Sequence, residues 1–172
     1  QKRRDDDMPM EGIIQPDILT ISDTLRLRKF SGDCAFALDW YQDKETLLLV
    51  DGKTDPYDMK RLCHMYHYLQ GQGELYWIEY KEKDSTHFIP VGDVTFGKED
   101  IPIVIGDPTL RGKRIGKQVI GALIARARAL GFDVLRVADI YDYNVASRKL
   151  FEACGFRATE FTEKGHRYEC IL

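Results

Sequence analysis

The stretch that decides the fold runs Asp107-Pro108-Thr109-Leu110-Arg111-Gly112-Lys113-Arg114-Ile115-Gly116-Lys117. It follows a short apolar run, Ile101–Ile105, and opens a long amphipathic segment, Ile115–Leu130. Where a helix follows a strand in this way, its first backbone N–H groups have no partner inside the helix, and its dipole adds partial positive charge. A loop of glycine and basic residues at this point therefore predicts a binding site for a phosphate-bearing ligand.

Gly112 and Gly116 let a ligand approach the backbone of the loop closely. Four basic side chains lie around the predicted start of the helix: Arg111, Lys113, Arg114 and Lys117. Two known phosphate-binding templates do not fit the loop. A P-loop requires Ser or Thr after its Gly-Lys pair, whereas Gln118 follows Gly116-Lys117. The dinucleotide fingerprint Gly-x-Gly-x-x-Gly fails because Gly112 and Gly116 are the only glycines in the loop proper. The favoured ligand is therefore a pyrophosphate group that is bound by neither a P-loop nor a dinucleotide fingerprint.

The segments around the loop show strand and helix patterns in alternation. Alternating apolar and charged residues predict a first strand over Thr24–Phe30. The remaining patterns predict helical stretches at Cys34–Tyr41, Pro56–Gln70, Ile115–Leu130 and Asn144–Cys154, and strands at Glu74–Lys81, Phe88–Phe96, Ile101–Ile105, Val134–Ile140, Arg157–Thr162 and Arg167–Leu172. This order of elements predicts a mixed α/β domain.

Composition limits the classes of protein that fit. A chain of 172 residues with 44% hydrophobic content has the size of one domain, and we expect a disordered lead-in over residues 1–22 and the domain over residues 23–172. A formal net charge of -3 argues against a nucleic-acid partner, and no apolar run approaches the roughly 20 residues that span a membrane. The cysteines form no Cys-x-x-Cys pair, so we expect reduced thiols, no metal site and a cytoplasmic protein.

Two motifs resemble those of the GNAT superfamily of N-acetyltransferases. The coenzyme A loop of that family reads Arg/Gln-x-x-Gly-x-Gly/Ala, and here it reads Arg111-Gly112-Lys113-Arg114-Ile115-Gly116. The family's later helix reads Asn-x-x-Ala/Ser-x-x-Leu-Tyr-x-x-x-Gly-Phe, and the same spacings here hold Asn144, Ser147, Leu150, Phe151, Gly155 and Phe156. The resemblance implies a mixed, mostly antiparallel central sheet flanked by helices.

One branch of the family is especially similar. Asp139 precedes Asn144 in an Asp-x-x-x-x-Asn arrangement, and the chain opens with Leu25–Arg28 and Trp40–Asp43. These features resemble aminoglycoside 6'-N-acetyltransferases and ribosomal-protein acetyltransferases. The resemblance therefore covers Leu25–Leu172.

By this resemblance, the chain moves an acetyl group from acetyl-CoA to a primary amine on a small molecule or protein, without a metal. The resemblance also implies that the strand before the loop and the strand before Asn144 splay apart to admit the coenzyme. The residues that we expect to bind it are Val104, Ile105, Gly106, Arg111, Gly112, Lys113, Arg114, Ile115, Gly116, Lys117, Asn144, Ser147 and Phe151. Asn144 has the alternative role of a helix cap alone. A homodimer is left open.

Catalysis requires a base, because a protonated amine has no lone pair for the attack. Carboxylates near the start of the strand before the loop serve as base in similar enzymes, which favours Asp100 over Asp93 and Asp139. The family's usual proton donor to the leaving thiolate is a tyrosine, but Phe151 holds that position. We expect Tyr143 to replace it, with Tyr141, Ser147 and water as alternatives.

Two departures leave a second function open. Arg114 stands where the motif has its first glycine, and Phe151 cannot donate a proton. A catalytically weak protein that binds or senses acyl-CoA is therefore the alternative to an enzyme. An aromatic group is equally open to two interpretations, an acceptor pocket for a cationic amine or core packing. Its members are Tyr57, Tyr66, Tyr68, Tyr76, Trp77 and Tyr80.

Overall fold

The computed structural model describes residues 7–172. These residues form eight strands: β1 (Ile18–Thr20), β2 (Leu25–Lys29), β3 (Glu74–Tyr80), β4 (Ile89–Phe96), β5 (Ile103–Ile105), β6 (Val134–Tyr141), β7 (Arg157–Phe161) and β8 (Gly165–Ile171). The α-helices are α1 (Lys44–Asp51), α2 (Met59–Gln72), α3 (Ile115–Ala129) and α4 (Val145–Ala153), and 3-10 turns cover Ala35–Tyr41 and Pro108–Leu110. Within this part of the chain, no helix is both long and apolar enough to cross a membrane.

The strands form two sheets. Five strands pair antiparallel in the order β1-β2-β3-β4-β5, and three pair antiparallel in the order β6-β8-β7. β5 and β6 are therefore edge strands of different sheets, and they do not pair with each other. The fold prediction is confirmed: a mixed α/β structure with a mostly antiparallel sheet flanked by helices.

The larger sheet is covered on both faces, and β3 shows why. Successive side chains of a strand point to opposite faces. Tyr76 and Ile78 pack in one core with the buried residues of α3, whereas Leu75 and Trp77 pack in a second core with the buried residues of α2. Burial on both faces also explains why the strand reads as an almost continuous apolar run.

The sheet begins earlier in the chain than the sequence predicts. β1 pairs antiparallel with β2, with Leu19 opposite Leu27, although residues 1–22 are the expected lead-in. The side-chain amide of Gln15 also donates a hydrogen bond to the carbonyl of Leu75 at 3.0 Å. Residues 7–22 therefore belong to the folded structure, because their backbone and side chains find partners on β2 and β3. Residues 1–6 of the expected lead-in lie outside the described residues.

In the N-terminal half of the chain, the bounds of α2 differ from the prediction, and α1 is an additional helix. The helix expected from Pro56 begins instead at Met59, because Asp58 is its N-cap and its Oδ1 accepts a hydrogen bond from the Arg61 N–H at 2.8 Å. α1 was not predicted at all. It begins after Asp43, whose side chain accepts a hydrogen bond from the Thr46 N–H, and it ends at Gly52 with a left-handed φ of 71°.

Candidate active site

A cleft opens between the edge strands β5 and β6. It encloses a cavity of about 390 Å³, walled by α1, by residues 100–105, by β6 and by the first turns of α4. β5 hydrogen-bonds β4 along one edge only, and its other edge faces the cleft. A linear ligand with amide groups can therefore add itself to this free edge as an extra strand would.

Asp100 joins the two sheets at the start of β5. Its Oδ1 accepts hydrogen bonds from the N–H of Ile101 at 3.0 Å and from the N–H of Ala138 at 2.9 Å. Ala138 lies where the register of β6 against β8 shifts between Val137 and Ile140, so a bulge turns this N–H away from β8. Within residues 7–172, Oδ2 of Asp100 makes no hydrogen bond.

The environment of Asp100 favours a proton-accepting role. Burial raises the pKa of this carboxyl above its ordinary value, and Asp139 adds a smaller upward contribution. The two backbone hydrogen bonds oppose the rise. A general base works best when its pKa lies nearer the working pH, so a raised carboxyl pKa in a cavity wall suits this chemistry.

The loop between β5 and α3 has an unusual backbone. Asp107 fixes its first turn, because Oδ1 accepts hydrogen bonds from the N–H and the hydroxyl of Thr109 at 2.9 and 2.7 Å. Gly112 has a φ of 84°, and Arg114 has a φ of 58°, the one positive φ of a non-glycine residue in the described part of the chain. A left-handed conformation costs about 1–2 kcal/mol at a non-glycine residue, which explains why the motif usually has glycine at the Arg114 position.

The first turn of α3 presents free donors. The first N–H of this helix region with a backbone partner is that of Gln118, which donates to the Arg114 carbonyl at 3.1 Å. In the structure described, the N–H groups of Ile115, Gly116 and Lys117 have no hydrogen-bond acceptor. Gly116 also meets a packing need, since a Cβ there would lie 3.2 Å from Cδ2 of Leu150 on α4.

The cations of the loop are available for an anion. Arg111 pairs with Glu45 at 3.1 Å and Lys113 with Glu82 at 3.9 Å, and all four side chains are exposed. Exposed ion pairs of this kind contribute about 0–1 kcal/mol, so a phosphate can displace them. Arg114 and Lys117 form no ion pair with any residue between 7 and 172.

α4 supplies the opposite wall of the cleft. The side-chain oxygen of Asn144 accepts a hydrogen bond from the Ser147 N–H at 3.1 Å and so caps the helix, while Nδ2 donates to the Leu49 carbonyl of α1 at 3.5 Å. Ser147 and Phe151 lie one turn apart and both line the cavity. Phe151 is 2% exposed and packs edge-on against Phe156 at a centroid distance of 5.1 Å.

A family model described as "Acetyltransferase (GNAT) family" matches residues 37–156, which include β5, the loop, α3 and α4. The chain belongs to the GNAT acetyltransferase family. This membership confirms the resemblance inferred from the two motifs. No curated protein sequence matches the chain.

Several solved structures share the fold of this chain. A domain from Methanocaldococcus jannaschii DSM 2661 is 21% identical, with a TM-score of 0.75, covering 86% of this chain and 98% of that one. AAC(6')-Ib in complex with parmomycin and acetyl-CoA is 13% identical, with a TM-score of 0.67 and coverages of 87% and 94%. Spermidine N-acetyltransferase from Vibrio cholerae, in complex with CoA and spermine, is 18% identical, with a TM-score of 0.64 and coverages of 87% and 96%.

The GNAT cleft brings together about half of the residues expected to bind coenzyme. Six of these residues line it, together with the expected base Asp100: Val104, Ile105, Arg111, Asn144, Ser147 and Phe151. The other predicted residues belong to the loop and the first turn of α3, beyond the cavity wall: Gly106, Gly112, Lys113, Arg114, Ile115, Gly116 and Lys117.

Tyr143, the expected proton donor of this GNAT protein, lies outside the cavity wall. It is 46% exposed, and its hydroxyl donates a hydrogen bond to the Leu48 carbonyl at 2.7 Å. Its ring stacks on Tyr141 with centroids 5.4 Å apart. Of the alternatives, Tyr141 and Ser147 line the cleft. The hydroxyl of Tyr143 is therefore held by α1, and its role as proton donor stays a prediction.

Asp93 and Asp139, the alternatives to Asp100, have different surroundings. Asp93 is 1% exposed, and its Oδ2 accepts hydrogen bonds from the hydroxyls of Tyr41 at 2.7 Å and Tyr66 at 2.9 Å. Burial raises its pKa to about 6, against the effect of both hydroxyls. Asp93 does not line the cleft, whereas Asp139 does and accepts a hydrogen bond from Thr162 at 2.7 Å.

Sequence reasoning missed the contribution of α1 to the GNAT cleft. Thr46, Leu49 and Val50 of this helix line the cavity. A signal for the helix was present in Asp43, a good N-cap residue, with Glu45 in the first turn. The run Leu47–Val50 concealed it, because four successive apolar residues show no helical period.

An aromatic side chain closes the back of the loop. Gly106 begins the loop, and its N–H donates to the Val91 carbonyl at 2.8 Å. A Cβ at Gly106 would overlap the ring of Trp40, so the indole rests directly on this backbone. Trp40 in turn meets Trp77 of β3 at a centroid distance of 6.1 Å. The loop is therefore in contact with the aromatic core beneath the sheet.

Proposed function

We propose that this protein is an N-acetyltransferase that moves an acetyl group from acetyl-CoA to a primary amine of a small molecule or protein. The proposal rests on the cleft between two unpaired strand edges. Asp100 lies in the wall of this cleft, and the helix start with its basic residues lies beside the opening. The GNAT family match and the acetyl-CoA and CoA complexes of similar structures support the same donor.

The residues of the cleft fit this coenzyme. The N–H groups of Ile115, Gly116 and Lys117 have no acceptors of their own and suit a pyrophosphate, with Arg111 and Lys113 as cations beside it. The free edge of β5 offers backbone hydrogen bonds to the amide-containing arm of the coenzyme. Acetyl-CoA supplies a thioester, which is an activated acyl group.

Asp100 then acts on the acceptor. Its Oδ2, which is free of other hydrogen bonds in the described chain, removes the proton from the attacking amine. The amine nitrogen forms a bond to the acetyl carbon, the carbon–sulfur bond breaks, and its electron pair leaves with sulfur. A proton returned to that sulfur completes the exchange, and Ser147 and Tyr141 are the hydroxyl side chains of the cleft wall expected to direct it.

A thiol-release assay with acetyl-CoA and a panel of primary amines tests the proposal, with calorimetry of acetyl-CoA binding as a second measurement. We expect Gly112→Pro to abolish coenzyme binding, because proline cannot adopt a φ of 84°. Gly32→Pro is the matched control, since Gly32 also has a positive φ, 109°, and open space around it. Unchanged coenzyme affinity in Gly112→Pro would exclude the loop as the site.

A second candidate function, an acyl-CoA sensor with little turnover, rests on Phe151. This buried ring fills the position from which the family's tyrosine protonates the leaving thiolate. Tight coenzyme binding with no thiol release from any amine would favour the sensor. Phe151→Tyr separates the two further: a gain in turnover from a measurable wild-type rate supports the enzyme, and activity that appears only in the variant supports the sensor.

A further inference from the structure

A second cavity, of about 590 Å³, lies beside the cleft. Its polar wall consists of Glu11, Tyr68, Gln72, Thr95, Glu99 and Asp100, together with Lys98. Asp100 and Pro102 line both this second cavity and the cleft. The volume falls within the usual range of small-molecule sites, which is about 300–1,000 Å³.

The two cavities lie on opposite sides of one hydrogen bond. Ala138, whose N–H donates to Asp100 at 2.9 Å, lines the second cavity, whereas its neighbours Val137 and Asp139 line the cleft. Asp100 is therefore the partition between them. A ligand in either cavity therefore adjoins this carboxylate.

Thr95 gives an independent sign of a ligand. The residue is 1% exposed, and its hydroxyl has no hydrogen-bond partner, yet it lines the second cavity. Buried hydroxyl groups are almost always hydrogen-bonded, because leaving one unpaired costs free energy. A polar ligand in the cavity would supply the missing partner.

The charges on the wall favour a cation. Glu11, Glu99 and Asp100 are acidic, and Lys98 is the one basic side chain among the lining residues. Glu99 is already paired with Arg136 at 3.2 Å and Arg167 at 3.1 Å. Glu11 has no ion pair within residues 7–172. Two carboxylates, Glu11 and Asp100, therefore remain for a ligand.

We infer that the second cavity binds the acceptor, and that the acceptor is a small primary amine with a second positive charge, of the diamine class. This inference rests on the proposed function. The reacting nitrogen gives its proton to Asp100 and is neutral when it attacks. It therefore cannot form an ion pair with Glu11. A second ammonium group on the same molecule stays charged, pairs with Glu11 and lies against the exposed ring of Tyr68.

Thr95→Val tests the site without weakening the fold. Valine keeps the shape of threonine and removes an unpaired buried hydroxyl, so we expect an unchanged or higher melting temperature. If the hydroxyl binds the acceptor, KM for 1,4-diaminobutane rises about 3- to 10-fold while acetyl-CoA affinity is unchanged. An unchanged KM in a stably folded variant would overturn the assignment of this cavity.

A pair of matched ligands tests the charge requirement. We expect 1,4-diaminobutane to have a KM about 5-fold lower than n-butylamine, and Glu11→Gln to remove this preference. Glu160→Gln is the control, since Glu160 is an exposed residue of β7 that lines neither cavity. Equal KM values for both amines in the wild type would refute a dicationic acceptor, as would a preference that Glu11→Gln leaves intact.

Calorimetry separates this inference from the proposed function. Binding of 1,4-diaminobutane to the protein in the presence of CoA requires no turnover. Binding that Thr95→Val weakens, without thiol release in the assay, would support the cavity and contradict the enzyme. Thiol release with a peptide N-terminus but with no diamine would support the enzyme and overturn the inference.

Discussion

Asp93 and Asp100 are two buried carboxylates in two very different regions of the molecule. Asp93 lies on β4 in the aromatic core, where two tyrosine hydroxyls bond to the same oxygen. Asp100 lies just before β5, where two backbone N–H groups bond to one oxygen and two cavities adjoin the residue. Burial raises the pKa of both carboxyls.

A raised pKa alone therefore does not identify a carboxylate as a base. Asp93 has the closed environment of a structural group, since its surroundings are aromatic side chains and neither cavity reaches it. Asp100 combines a raised pKa with an oxygen open to a substrate. This difference in access is the reason why we propose Asp100, and not Asp93, as the base.

The largest effect that this comparison predicts is on turnover. Asp100→Asn keeps an oxygen that accepts both backbone hydrogen bonds but removes the base, so we expect kcat to fall about 100- to 10,000-fold. Coenzyme affinity by calorimetry should be retained. Asp93→Asn is the matched control, with kcat within about 3-fold of the wild type. Equal losses of kcat in Asp100→Asn and Asp93→Asn would contradict the assignment of Asp100 as the base.

Stability should depend on pH through Asp93. Its folded pKa, about 6, is above the ordinary value of 3.8, so the stability provided by its proton is complete below about pH 4 and is lost as the pH rises through 6. Across this window the wild type should lose about 3 kcal/mol of unfolding free energy relative to Asp93→Asn. Urea unfolding of both proteins at several pH values measures the difference. A constant difference would place the pKa of Asp93 at its ordinary value.

The pH dependence of the rate should follow Asp100 instead. A base must be deprotonated, so kcat/KM should fall about tenfold for each pH unit below the pKa of Asp100, which lies above its ordinary value of 3.8. We expect this acid limb to persist in Asp93→Asn and to vanish from the residual activity of Asp100→Asn. An acid limb that disappears in Asp93→Asn would reverse the two assignments.

The smallest effect concerns the tyrosines around Asp93. Tyr66→Phe removes one of the two hydrogen bonds to this carboxylate, and we expect it to lower the unfolding free energy by about 1 kcal/mol at neutral pH. Its kcat should match that of the wild type. A loss of kcat with full stability would show that the tyrosine pair serves the reaction.

Local sequence patterns predicted the elements whose signals are local. The strand at Leu25–Lys29, the helix from Ile115 and the cap at Asn144 follow from alternation, helical period and capping chemistry within a few residues. β1 was missed because its assignment depends on pairing with β2 rather than on its own three residues. The 3-10 turn at Ala35–Tyr41 reads in sequence like any short helix.

The site depends on contacts between distant parts of the chain, which no local pattern contains. Asp100 is bonded to Ala138 across 38 positions of sequence, and the bulge that permits this contact has no glycine to mark it. The carbonyl of Leu48 on α1, 95 positions away in the sequence, decides the direction of the Tyr143 hydroxyl. Thr95 gave no signal, because the absence of a partner is visible only in the folded chain.

The contact of Trp40 with Gly106 places a tryptophan fluorophore directly against the backbone of the loop. The chain has two tryptophans, Trp40 and Trp77, and they lie together in the core behind the loop. All of the intrinsic indole emission therefore comes from one spot. A ligand that shifts the backbone of Gly106 changes the surroundings of Trp40 directly, so coenzyme binding can be followed by fluorescence without a label. In Trp40→Phe the remaining fluorescence comes from Trp77, which is 1% exposed, and we expect this fluorescence not to respond to the ligand.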